Sequence, residues 1–151
     1  MALKEQLRAD LTAAMKSRDE LRAATLRMVL TAVTNEEVAG KKARELSDDE
    51  VLRVLTREAK KRRESHEAYS QAGRTDLAER ELAEHGVIEG YLPQQLSDGE
   101  IAALVSAAIA ETGASGPQAM GQVMKVVQPR VAGRADGAKV AAEVRTQLAG
   151  S

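Results

Sequence analysis

Phenylalanine, tryptophan and cysteine are absent from this chain of 151 residues, and its aromatic content is two tyrosines, Tyr69 and Tyr91. Without cysteine there can be no disulfide, no thiol nucleophile and no Cys-ligated zinc. Without Phe and Trp, the 43% hydrophobic share must be filled with Leu, Val, Ala, Ile and Met, which suit close helix packing. Two aromatics also leave little for base stacking on single strands, so RNA recognition by such a chain would read backbone and overall shape. Long apolar runs are missing too. The start, Met1 to Asp10, carries charges throughout and has no apolar signal region, and no later stretch reaches a membrane-spanning length. The expectation is a soluble cytoplasmic protein with no membrane partner, built as one domain or two small ones.

The net charge of −1 conceals a division along the chain. Residues 51–74 hold 7 basic and 3 acidic side chains, whereas residues 75–100 hold 1 and 7. A basic segment runs directly into an acidic one. The boundary that organises the chain lies a little further on, at Tyr91-Leu92-Pro93-Gln94-Gln95-Leu96-Ser97. Pro93 lacks an N–H and disfavours helix at Leu92, so an arriving helix stops there. Ser97 with Glu100 reads as a capping box, and Leu96 with Ile101 as a hydrophobic staple, so a new helix begins at once.

In chain order, Leu3, Leu7, Leu11 and Ala14 or Met15 predict a helix to about Ser17, and Asp19 caps the next. From Leu21 to Val38 apolar residues cover more than one face, which predicts a central helix ending near Gly40. Leu46 to Val51 repeats the staple and capping box; the flanking helices differ, which favours independent use of one device over an internal repeat. A third helix runs from Asp48 to about Ala72. At 100° per residue, Leu55, Ala59, Arg62, His66 and Tyr69 share one face, and Arg53, Arg57, Lys60 and Lys61 gather on the opposite one.

Gly73 ends that helix and Thr75 or Asp76 caps the fourth, with Leu77, Glu81, Leu82, His85, Ile88 and Leu92 facing inward. The short connection predicts antiparallel neighbours. Beyond the boundary, Ile101, Leu104, Val105, Ala108 and Ile109 define a fifth helix. Pro117 opens a sixth with Met120, Val123, Met124 and Val127 inward. Pro129, Gly133 and Gly137 mark a turn, and Asp136 caps a last helix lined by Val140, Val144 and Leu148. The sequence therefore predicts an all-α, multihelical fold, with an N-terminal four-helix subdomain over 1–93 and a three-helix tail over 94–151.

Arg74-x-Asp76-Leu77 with Glu81 and Glu84, the Tyr91–Ser97 run, Met120-Gly121-x-Val123-Met124 and Gly133-Arg134-Ala135-Asp136-Gly137 together resemble the YqeY family. Leu26-Arg27-Met28 and Lys60-Lys61-Arg62-Arg63 match its earlier parts, so the resemblance covers almost the whole chain; it departs from the usual pattern at His85 and Gly86. That family is similar to the C-terminal helical and tail region of GatB, a subunit of the glutamine-dependent tRNA amidotransferase. There the tail contacts tRNA, while phosphorylation and amide transfer are done by other domains. The resemblance implies a non-catalytic module that binds tRNA or associates with aminoacyl-tRNA synthetases or amidotransferase subunits. An accessory part of a carbon–nitrogen ligase is a further reading.

The residues themselves offer no enzyme signature, no cofactor motif and no metal site. Gly133 to Lys139 has neither the Walker spacing nor GxGxxG. Its bland reading, a turn with Gly133 at positive φ and Asp136 capping, is preferred over an anion site. His66, Glu81, Glu84 and His85 have ligand chemistry, but structural pairing of Arg62 or His66 with a buried Glu81 is the stronger expectation. Two basic groups remain as candidate phosphate contacts: Arg53, Arg57, Lys60 and Lys61, and then Lys125, Arg130, Arg134 and Lys139. Solvated charge is the ordinary reading of the first, and a simple capped turn that of the second. The acidic stretch from Asp76 to Glu100 favours a third, a protein-interaction adaptor without nucleic acid.

Overall fold

The structure, a computed structural model, describes residues 2–150. Among them are seven α-helices and no strand: α1 (Leu3–Lys16), α2 (Glu20–Glu37), α3 (Asp48–Gln71), α4 (Thr75–Glu89), α5 (Asp98–Thr112), α6 (Met120–Val131) and α7 (Gly137–Ala149). A single 3₁₀ turn, Pro117–Ala119, leads into α6. The chain divides into two compact units, one ending at Leu92 and the other starting at Pro93.

In the first unit α3 and α4 make the most extensive pairing, and α2 touches α1, α3 and α4. Contacts of His66 with Ala78 and of Arg62 with Glu81 show that α3 and α4 run antiparallel. Leu7, Leu26, Val29, Val33, Val51, Val54, Leu55 and Ile88 form the core, with Leu3, Leu11 and Tyr91 at its edge. Both ends of α3 are fixed by local chemistry. Ser47 and Glu50 make the complete capping box at its start. At its end Gly73 takes φ 75°, with the Arg74 N–H donating to the Tyr69 carbonyl and the Gly73 N–H to that of Ser70, the Schellman pattern.

The second unit closes α5, α6 and α7 around Ile101, Val105, Ala108, Val123, Val127, Val140, Val144 and Leu148. Ser97 and Glu100 form the second capping box, and the Asp136 carboxylate caps α7 by accepting from the Ala138 N–H at 3.1 Å. The segment before α5 is held to the α6–α7 turn. The Leu96 N–H donates to the Arg134 carbonyl at 2.8 Å, and Arg134 Nε donates to that of Gln94 at 3.4 Å.

Four expectations are corrected. α2 ends at Glu37 with Val38 as its C-cap, because the Glu37 side chain turns back to bind Lys4 and the Leu46 N–H; Gly40 has no part in the cap. Arg74 occupies the N-cap position of α4 without a side-chain bond, since Gly73 and Arg74 are already held by the end of α3. Leu82 is exposed, whereas Ala78 and Glu84 are buried, so the inward face of α4 is rotated toward its charged side. Pro129 lies inside α6, which continues to Val131 because Val127 and Val131 are both held in the core.

Candidate nucleic-acid interface

The rotation of α3 about its axis is set by Val51, Val54, Leu55 and Ala59, all buried. That leaves Arg53, Arg57 and Lys61 exposed and Lys60 partly so, in a row about 12 Å long at 1.5 Å per residue. Three of these cations already have carboxylate partners. Arg57 lies 3.3 Å from Glu36, Lys61 3.2 Å from Glu58 and Lys60 4.0 Å from Glu64. Arg53 meets no carboxylate among the described residues. The Arg57–Glu36 and Lys60–Glu64 pairs face solvent and contribute typically about 0–1 kcal/mol, so a phosphate can exchange with them at small cost, whereas Glu58, the partner of Lys61, is buried.

The second group does not converge in the same way. Arg130 is 2.8 Å from Glu111 and Lys139 is 3.0 Å from Asp98, while Arg134 is turned onto the Gln94 carbonyl. Lys125 is exposed and stands apart from these pairs. Gly133 takes φ 70° and Asp136 occupies the helix start, so the anion-attracting N–H groups there already face a carboxylate.

Between α3 and α4 lies a charge cluster. The Arg62 guanidinium, 14% exposed, is 3.1 Å from Glu58, 3.6 Å from Glu81 and 3.9 Å from Glu84. Arg80 closes it from the rim, 3.2 Å from Glu84. Arg62 Nε and Glu81 Oε2 are buried and make no hydrogen bond, so Glu81 is held by charge and Glu58 is the close partner. His66 goes elsewhere, its Nδ1 lying 2.9 Å from the Ala78 carbonyl, and His85 sits 3.4 Å from Glu89. Sequence reading passed over Glu58 and named Glu84 only for its ligand chemistry, yet the i,i+4 spacings of Glu58 to Arg62 and of Arg80 to Glu84 were a visible signal. Among the described residues no group of three or more metal-ligating side chains is placed to hold an ion.

Tyr91, at the end of the first unit, donates its hydroxyl to Asp10 at 2.5 Å and accepts from Arg22 Nη2 at 3.0 Å. Burial pushes its phenol up to about 12, and the Asp10 carboxylate adds to the shift. Arg22 also lies over the ring, 5.7 Å from its centroid. Lys4 holds both oxygens of Glu37 at 2.8 Å, which together with the Leu46 N–H lowers the Glu37 pKa. Arg44, 2.7 Å away, brings Glu50 down to about 2, helped by the Ser47 N–H. These groups tie segments of the first unit together around its core.

The family model described as Yqey-like protein matches residues 4–148. An uncharacterised protein of Schizosaccharomyces pombe is 35% identical over 97 residues, which cover 64% of this chain and 76% of that protein. The protein named altered inheritance of mitochondria protein 41, mitochondrial, of Lachancea thermotolerans is 33% identical over 74% of this chain, and the match spans 60% of the relative's own length. Its namesake in Pyrenophora tritici-repentis is 32% identical over 86% of this chain and 71% of its own. Among the described residues no helix is long and apolar enough to cross a membrane.

Proposed function

The chain belongs to the Yqey-like family, and from that premise we propose that it is a non-catalytic helical module that holds tRNA by its phosphate backbone. The observation that supports this reading is the row Arg53, Arg57, Lys60 and Lys61 on the outward face of α3, fixed in direction by the four buried apolar residues beneath it. Such a row contacts phosphates without reading bases. The lack of Phe and Trp fits the same mode. The similarity of the family to the amidotransferase tail supplies tRNA as the nucleic acid; charge alone does not.

A salt series of tRNA binding tests it. Four phosphates neutralised at the row give a slope of roughly −3 on logarithmic axes, and replacing Arg53, Arg57, Lys60 and Lys61 by Ala abolishes the salt-sensitive component. Equal binding by the two proteins, or none at low salt, discards the α3 site. The second reading, an adaptor for a basic protein or for an aminoacylation or amidation enzyme, is favoured by the carboxylates that already accompany three of the four cations. It gains if partners are recovered without RNA.

A further inference from the structure

The turn between α1 and α2 has the same backbone design as the end of α3, with one difference. The Asp19 N–H donates to the Ala14 carbonyl at 2.9 Å and the Arg18 N–H to that of Met15 at 3.3 Å, again the Schellman pattern. The residue in the left-handed position at the end of α3 is Gly73; here it is Arg18, at φ 60°. Among the described residues Arg18 is the one non-glycine with positive φ, while Gly73, Gly113, Gly116 and Gly133 fill the other such positions. An L-residue held there is disfavoured relative to glycine, so the fold gains nothing from the side chain.

The side chain has somewhere to act. Arg18 lines an open groove of about 770 Å³ with Arg27 and Arg80, over a floor of Ala14, Ala23 and Ala24. Alanine at all three floor positions brings an occupant close to the helices. Neither Arg18 nor Arg27 meets a carboxylate among the described residues; an Arg27 guanidinium nitrogen lies 3.1 Å from the Met15 sulfur instead. Of the acidic residues at the rim, Asp19 is committed to capping α2 through the Arg22 N–H, and Glu20 stands beside it. Arg80 is 3.2 Å from Glu84 and so is a paired cation that can still turn a face to the groove.

We propose that this groove binds a phosphate-bearing ligand, with Arg18 and Arg27 as its principal contacts and Arg80 as an auxiliary one. Guanidinium forks match phosphate oxygens bidentately, and two without carboxylate partners on one groove form a site for that geometry. The site shares no residue with the α3 row and does not depend on the tRNA reading. The phosphate comes either from a small phosphorylated molecule or from the end of an RNA.

The test is a titration of the full chain with sodium pyrophosphate at constant ionic strength, followed by amide NMR. Saturable shifts are expected at Arg18, Asp19, Ala23 and Ala24. Arg18→Gly is the informative variant, because it places the preferred residue in the turn: its thermal midpoint should hold or rise while affinity falls about tenfold, the equivalent of one charged hydrogen bond. Arg27→Gln should weaken binding similarly, and the exposed Arg145→Gln, in the other unit, should not. A short RNA with a 5′-phosphate that competes with pyrophosphate, where its 5′-hydroxyl form does not, assigns the phosphate to an RNA end; equal, weak competition by both assigns it to a small molecule. Linear shifts spread over the surface overturn the proposal, as does unchanged affinity in Arg18→Gly. Pyrophosphate binding must survive replacement of the four α3 cations by Ala, which separates this site from that one.

Discussion

Gln95 donates through Nε2 to the Gly133 carbonyl at 2.9 Å, across 38 residues of sequence, and to the Pro93 carbonyl at 2.8 Å. One side chain thus joins the Tyr91–Ser97 run to the Gly133–Gly137 turn, two stretches whose only common property in sequence is that both break helices. The Leu96 N–H bond to the Arg134 carbonyl lies beside it. Gln95→Ala should lower the stability of the second unit by about 1 kcal/mol, the net worth of an ordinary hydrogen bond. Chemical denaturation measures that loss, and hydrogen exchange at the Leu96 amide should quicken with it. An unchanged exchange rate would show that the strap is held by other contacts.

Arg62 should prove more costly to remove than any one of its carboxylates. Arg62→Met removes the cation that Glu58, Glu81 and Glu84 share; Glu58 keeps Lys61 and Glu84 keeps Arg80, so Glu81 is the carboxylate left uncompensated, and a loss of about 3 kcal/mol, the lower end for a broken buried pair, is expected. Glu81→Ala leaves Arg62 with Glu58 at 3.1 Å, so it should cost no more than about 1–2 kcal/mol, with part recovered by relieving the unbonded Glu81 oxygen. Equal losses for the two variants in urea unfolding would refute this ranking and make Glu81 the indispensable partner.

The elements were legible in the sequence where a local rule decides them. Both capping boxes follow from Ser-x-x-Glu, α7 starts at its Asp cap, and the Pro93 stop needs only the missing N–H. Reading failed where distant residues decide. Glu58 and Glu84 count as polar in any periodicity, yet Arg62 makes their burial tolerable. Leu82 counts as apolar, yet the α3–α4 pairing turns it to solvent. Asp10, Arg22 and Tyr91 meet across separations of 69 and 81 residues, which no spacing rule reaches. The left-handed turn at Arg18 was hidden because glycine, its usual marker, is absent there.

Stability should fall at both ends of the pH scale for different reasons. Glu50 titrates at about 2 in the folded chain, against an ordinary value of 4.5, so the folded state binds fewer protons between those limits. Its contribution is complete above pH 4.5 and is lost as pH falls toward 2, with Glu37 and Glu100 adding in the same direction. Arg44→Ala, which removes the largest cause of the Glu50 shift, should flatten this acid limb in thermal melts. Tyr91 works at the other end. Its phenol is raised from 10 to about 12, so its contribution is complete below pH 10 and lost as pH rises through 12. Spectroscopic titration should show one tyrosine ionising late, and Tyr91→Phe should remove that phase. A late phase that persists in Tyr91→Phe, or none in the parent chain, would contradict the Asp10–Tyr91–Arg22 arrangement.

The row on α3 permits a test in the direction of gain. Arg57 is 3.3 Å from Glu36 and Lys60 is 4.0 Å from Glu64, both pairs facing solvent and therefore weak. Glu36→Gln and Glu64→Gln remove two negative charges from the neighbourhood of the row without touching its cations or the core beneath it. If phosphates occupy the row, the double variant should bind tRNA more tightly, by roughly tenfold at low ionic strength where about 1.4 kcal/mol of repulsion is relieved. Because screening shortens electrostatic reach to about 8 Å at physiological salt, the gain should shrink there. Its thermal midpoint should move little, since each exposed pair contributes only about 0–1 kcal/mol. An adaptor that docks a basic protein on these carboxylates predicts the opposite sign, a weaker complex in the double variant. Fluorescence anisotropy with labelled tRNA at two salt concentrations decides between them: tighter binding that fades with salt supports the RNA reading, and unchanged or weaker binding removes the α3 face from consideration as its contact surface.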